Sequence, residues 1–262
     1  MMRYLAYAKK NFLSHSAYRI DHFIGIFNTC LKIFIFWCIY RALYGNQTEV
    51  DGISFSMVTT NFVIAQAMSA VFTMDEFYLP YRINSGSIGN ELLKPISFKG
   101  VMVAENIGNA AFQLIFHFIP ALIIAVVTVG VMKPESIGTL IGFTLSMVLG
   151  GAVLWSICFI FQTLAFWLIN VWSLVTIKNV FVNVLSGSMI PIWFLPDWMQ
   201  NVIRFTPFSS IYFTPIQIYL GRVKGTEMML CFVSQLIWIV LLYLIGEFFW
   251  RKGLKKLVVQ GG

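Results

Sequence analysis

Charge is scarce: only 11% of the 262 residues are Asp, Glu, Lys or Arg, against roughly 25% in a soluble domain. That shortage, with 58% apolar residues and a mean hydropathy of +0.79, excludes a water-soluble globule. Catalytic signatures are also missing. The dipeptide Gly-Lys never occurs, so there is no phosphate-cradling G-x-x-x-x-G-K-[ST] loop and no means of hydrolysing ATP. The three histidines, His15, His22 and His117, fall in no H-E-x-x-H pattern; G-x-S-x-G and carboxylate clusters are absent. The four cysteines (Cys30, Cys38, Cys158, Cys231) form no C-x-x-C pair and sit in apolar runs, as small hydrophobes do. A cleavable leader is not expected either, since the first apolar run begins near residue 23, is too long for one, and no A-x-A site follows it.

What is present is a series of long apolar runs separated by short charged gaps, the pattern of a polytopic membrane protein. Six spans are expected, at about 23–43, 54–79, 101–129, 139–166, 178–195 and 227–250. They leave room for one all-α transmembrane domain covering 1–262 and little else. Before them, residues 1–22 place Tyr4, Leu5, Ala8 and Phe12 on one helical face and Arg3 and Lys10 opposite, which predicts an amphipathic helix in the membrane interface. With the N-terminus inside, twelve Lys and Arg fall on the inner side and five on the outer (Arg41, Lys133, Arg204, Arg222, Lys224). Both termini are therefore expected in the cytoplasm, and the excess of 18 basic over 11 acidic residues reflects topology, with no nucleic-acid partner implied.

Two connections are unusual. The inner one, within residues 80–100, reads YRINSGSIGNELLKPISFKG; Ile88, Leu92 and Ile96 share a helical face, and Pro95 limits the helix. The outer one, residues 190–226, contains Pro191, Pro196, Pro207 and Pro215, yet is rich in Trp, Phe, Ile and Tyr, including Trp198. It is too broken to span and too apolar for a solvated loop. Irregular backbone at membrane depth must be buried in protein or line a cavity, so short re-entrant helices are expected, with Pro196 at a helix start.

Polar residues inside the spans fall in stripes. Asp21, Gly25, Asn28 and Lys32 follow i, i+4, i+7, i+11, and Lys32 lies near mid-span, where an ionised lysine costs roughly 2.5–3.5 kcal/mol. Thr59, Gln66, Ser69 and Thr73 form a second stripe, and Asn179, Asn183 and Ser186 a third. Lys32 either faces a water-filled pathway or a charge partner across an interface, or snorkels its long stem toward a headgroup; the other two stripes either line a polar cavity or hydrogen-bond neighbouring helices. We take Asn28, Lys32, Gln66, Asn179 and Asn183 as pathway candidates. Gly138, Gly142, Ser146 and Gly150 make a small-x-x-x-small ladder suited to helix packing.

Two segments carry a resemblance. Ile88-Gly-Asn-Glu91-Leu92-Leu93-Lys94-Pro95-Ile96-Ser97 is similar to G-x-L-x-x-L-L-x-P-[IV]-S. Leu185-Ser-Gly-Ser-Met-Ile-Pro191-Ile-Trp-Phe-Leu-Pro196-Asp-Trp198, followed by Thr206-Pro207-Phe208 and Tyr219-Leu-Gly221, is similar to SG-x-x-[IL]-P-x-x-x-[LF]-P-x-W … PF … P … G. With six spans, a basic N-terminal helix and an outer hairpin, the chain resembles permease subunits of ABC-2 type ABC exporters, the drug- and antibiotic-efflux branch of about 260 residues. Lys32 is a departure from that pattern.

The resemblance implies a half-transporter in the cytoplasmic membrane that pairs with itself or a paralogue, mainly through spans 1 and 5. Two cytoplasmic ABC ATPase subunits, which hold ATP and Mg, would dock below it, and this chain would bind no cofactor. Ile88, Glu91, Leu92, Leu93, Lys94 and Pro95 would form the coupling helix. The cargo would be amphipathic: a drug, peptide, lipid or lipid-linked glycan. An ion- or proton-coupled secondary transporter is the alternative; it should show internal repeats with interrupted helices.

Overall fold

The computed structural model describes residues 2–16, 19–50 and 52–257. The Asp21 side chain lies outside the described residues. The protein is all-α, 77% helical. Helix α1 (Met2–Ser16) precedes α2 (Arg19–Tyr44), and a two-residue hairpin of β1 (Glu49–Val50) and β2 (Ile53–Ser54), paired Glu49↔Ser54 and Val50↔Ile53, leads into α3 (Phe55–Val71). Next come α4 (Tyr78–Asn84), α5 (Ile88–Leu92) and α6 (Phe98–Gln113), which continues through a π-helical turn at Leu114–Phe118 into α7 (Ile119–Thr128). Then α8 (Ile137–Thr163), α9 (Trp172–Leu185), α10 (Asp197–Arg204), α11 (Phe213–Tyr219) and α12 (Gly225–Lys256) complete the chain.

Local chemistry sets several helix starts. Ser54, Ser97 and Ser136 cap α3, α6 and α8, each hydroxyl accepting from the backbone N–H three residues on. The π turn precedes Pro120, which has no N–H to offer the Phe116 carbonyl; one widened turn accommodates its ring without ending the helix.

Among the described residues, four helices are long and apolar enough to cross a membrane: His22–Tyr44, Phe98–Thr128, Ile137–Phe166 and Gly225–Lys256. They match expected spans 1, 3, 4 and 6. Spans 2 and 5 need correction, because the helices there are the shorter Phe55–Val71 and Trp172–Leu185. The expected span 2 ran to residue 79, but the helix stops at Val71. In the break, Phe77 N–H donates to Asp75, and Asn109 donates to the freed Thr73 carbonyl at 2.6 Å. The expected span 5 began at 178 and ended at 195. Its helix instead starts at Trp172, where the Asn170 side chain accepts the first N–H, and ends before Gly187, whose φ of +78° favours glycine. At 14 residues α9 is about 21 Å long, short of a hydrocarbon core of about 30 Å.

The small-residue ladder of α8 does pack. A Cβ on Gly142 would lie 2.7 Å from Met228 Sδ of α12, and one on Gly150 2.6 Å from the Ile211 carbonyl oxygen. Ser146 donates to Gln235 of α12, whose amide nitrogen donates to the Ser146 and Ser210 carbonyls at 3.0 and 2.9 Å. Gln235 is wholly buried, so this knot fixes α8, α12 and the approach to α11 together. Within the 190–226 segment, Ile211 and Ile216 are fully buried in one cluster with Met68 of α3, Phe72 just past it, and Phe143 and Ile157 of α8. Pro196 stands at the N-cap of α10, Pro191 at that of a 3-10 turn (Ile192–Phe194), and Pro207 accepts a turn hydrogen bond from Ser210 N–H. Trp198 on α10 remains exposed.

At the opposite end of the bundle a second cluster joins Ile88, Phe98, Phe159, Phe166 and Trp250. Trp250 stacks on Phe98 at 5.7 Å and meets Phe166 edge-on at 5.6 Å.

Candidate functional site

Ile88 anchors the short helix α5: it is 2% exposed and packs with Phe98 and Trp250. Before it, Gly86 (φ +71°) turns the chain out of α4, and the Ser85 and Ser87 hydroxyls both reach the Arg82 carbonyl. Arg82 itself lies over the Tyr78 ring, 3.4 Å from its centroid. Glu91 within the helix and Lys94 just beyond it form an ion pair at 3.0 Å. Arg3 donates to the Pro95 carbonyl, and Ser97 N–H donates to Tyr4 Oη at 3.2 Å, so α1 braces the loop. This scaffold leaves two leucines facing out: Leu92 is 37% exposed and Leu93 84%. The expectation that Ile88, Leu92 and Ile96 share one face needs correction. The helix ends at Leu92, a backbone bond from Ile96 N–H to Lys94 O tightens the turn, and Pro95 cannot extend it.

Helix α1 gives its apolar face to protein. Tyr4 packs against Gly100, Ala8 against Gly108 and Phe12 against Phe112, with Phe rings 5.4 Å apart. A Cβ on Gly108 would come within 2.2 Å of the Ala8 carbonyl oxygen, so the two backbones touch there. Met2, Leu5 and Leu13 stay exposed beside this contact.

The five pathway candidates are not gathered in one place. Asn28 and Lys32 lie on the exposed side of α2, Gln66 is half-buried on α3, Asn179 half-buried on α9 and Asn183 exposed there. Among the described residues no hydrogen bond or ion pair joins any of the five to another. Asn179 donates to Glu76 Oε2 at 3.2 Å. In the second stripe, Ser69 and Thr73 return their hydroxyls to carbonyls of their own segment, the local satisfaction common for such residues in apolar helices.

Sequence reasoning missed two constellations. Lys178, counted as an inner-side cation, is 3% exposed and binds Glu76 Oε1 and Cys158 Sγ, the latter at 3.2 Å. Its partner is 102 residues away, so no local spacing could reveal it. The three histidines also meet. His22 Nε2 lies 2.6 Å from the His15 carbonyl, and its ring stands 5.8 Å from that of His117, which packs on Gly25. Burial first, and the charge of His22 second, hold the His15 imidazole below its usual pKa. Among the described residues no group of three or more His, Cys, Asp or Glu side chains could hold a metal ion.

The profile of one known family, described as ABC-2 family transporter protein, matches residues 26–261. No curated protein matches the chain significantly.

Proposed function

Because the chain belongs to the ABC-2 transporter family and is its multi-pass membrane component, we propose that it is the permease half of an ATP-driven exporter in the cytoplasmic membrane, both termini inside, carrying an amphipathic cargo. The observation that carries this reading is α5 itself. It offers two exposed leucines on a rigid mount, next to the ion pair Glu91–Lys94, at the end of the bundle where α1 and the end of α12 converge. Exposed apolar side chains on an otherwise polar turn mark a docking point for another protein. In this reading Ile88, Glu91, Leu92, Leu93, Lys94 and Pro95 seat in a cytoplasmic ATPase, and two such ATPase copies bind ATP and Mg.

Helices α2 and α9 present broad uncovered faces, including Phe23, Phe27 and Leu31 on the first and Ile177, Val180 and Phe181 on the second. Those faces suit a second permease, a copy or a paralogue. Pairing there would bring Asn28 and Lys32 of one chain toward Asn183 of the other and form the polar path between chains. ATP bound on the partner can move the permease only by favouring one of its conformations. Push on α5 passes through Ile88 into the Phe98–Trp250 cluster and through α1 into α6.

The test is co-purification from the native host under mild extraction, with vanadate-sensitive ATP hydrolysis and transport assayed on the same material. Leu93→Asp should leave insertion intact, release the ATPase and abolish transport. Wild-type transport by that variant would overturn the coupling role of α5.

A further inference from the structure

A groove of about 520 Å³ lies at the hairpin end, between the 190–226 segment and the first turns of α12. Its volume is that of a small-molecule site. Arg204, Arg222 and Glu227 all line it. Among the described residues neither arginine makes an ion pair with Glu227 or with any other carboxylate. Arg222 instead lies over the Trp193 ring, 5.1 Å from the centroid. Gln217, also in the lining, is 6% exposed, and its amide nitrogen has no acceptor. Charges of both signs that share a groove without neutralising each other are available to one ligand bearing both signs.

The same face of α12 then turns apolar. Glu227, Leu230 and Ser234 line the groove, and Ile237, Leu241 and Ile245 follow at helical spacing, 52%, 46% and 46% exposed. A polar pocket opening onto an apolar track matches a headgroup followed by a chain.

We propose that this groove binds an aminophospholipid of the adjoining leaflet. Guanidinium forks of Arg204 and Arg222 take the phosphodiester, and Glu227 accepts hydrogen bonds from the primary ammonium. One acyl chain runs along Leu230, Ile237 and Leu241. Choline, a quaternary ammonium, cannot donate to Glu227 and fits less well. The proposal rests on the permease reading only in placing α12 against lipid.

Native mass spectrometry of the purified full chain, released from detergent with equimolar dioleoylphosphatidylethanolamine and dioleoylphosphatidylcholine, tests it. The ethanolamine lipid should be retained over the choline lipid by roughly threefold to fivefold, the worth of one partly exposed charged pair. Glu227→Gln should erase that preference while both lipids stay bound. The double variant Arg204→Gln/Arg222→Gln should lose both. Arg41→Gln/Lys133→Gln, which removes equal charge outside the groove, should behave as wild type, and soluble glycerophosphoethanolamine should not compete.

Equal retention of the two lipids by wild type would overturn the proposal. So would a stronger hold on dioleoylphosphatidylglycerol, which would make this an anion site, or an equal loss in the control double variant. Displacement by the soluble headgroup would replace the lipid by a soluble ligand and overturn it likewise. The three groove side chains are exposed, so their replacement leaves the core intact. The readout involves neither ATPase nor transport, so its failure leaves the permease reading standing.

Discussion

Removing either partner of the Glu76–Lys178 pair should destabilise the protein unequally, and removing both should restore much of the loss. The Lys178 side chain is 2% exposed and that of Glu76 19%. Glu76→Leu therefore strands an ammonium in a dry site, with only the Cys158 thiol beside it. Breaking a buried pair in this way costs about 3–5 kcal/mol. Lys178→Met leaves a carboxylate that keeps Asn179 as donor and some water, so its cost should be nearer 1–2 kcal/mol, closer to that of an exposed pair. The double variant exchanges a desolvated ion pair for apolar packing and should fall within about 1 kcal/mol of wild type. Thermal unfolding in detergent can be followed with a thiol-reactive dye in a background where the exposed Cys38 and the half-buried Cys30 and Cys231 are replaced by Ser, because Cys158 is buried until the fold opens. Equal single-variant costs, or a double variant whose loss is the sum of the two, would refute the reasoning.

Two further variants probe separate parts of the reading. Gly108→Val drives a side chain into the Ala8 backbone, which cannot swing aside; the overpacking is worth about 1–3 kcal/mol and should free α1, seen as faster tryptic cleavage at Lys9 and Lys10. Cleavage at the wild-type rate would show that α1 is not held there. Lys32→Met should change turnover or cargo range in the reconstituted transporter, and unchanged transport would remove Lys32 from the pathway.

Four spans were legible because their apolar runs are also continuous helices. The bounds of the second were misjudged because hydropathy reports burial, not hydrogen-bond pattern. Phe72, Tyr78 and Leu79 continue the apolar run past Val71 because the broken backbone there is buried under protein, where Asn109 satisfies a carbonyl. Pro120 was the one local sign of the widened turn before it. The leucines of α5 could be picked out from a short pattern next to Pro95. The bond from Asn179 could not be read from local spacing, since Glu76, its partner, comes from a different part of the chain.

Helix α12 is a 32-residue rod, about 48 Å from end to end, and it is pinned at unequal distances. Gln235 holds it ten residues from the groove end, and Trp250 sits fifteen residues beyond that pin, beside Glu247, which pairs with Lys99 and Arg251. Measured to Trp250, the rod is thus a lever with a short arm of about 15 Å and a long one of about 22 Å. A displacement of the long arm at the α5 end, if the helix stays straight, reappears at the groove reversed in direction and about two-thirds as large. The mouth where a lipid would sit is geared down from the end where force would enter.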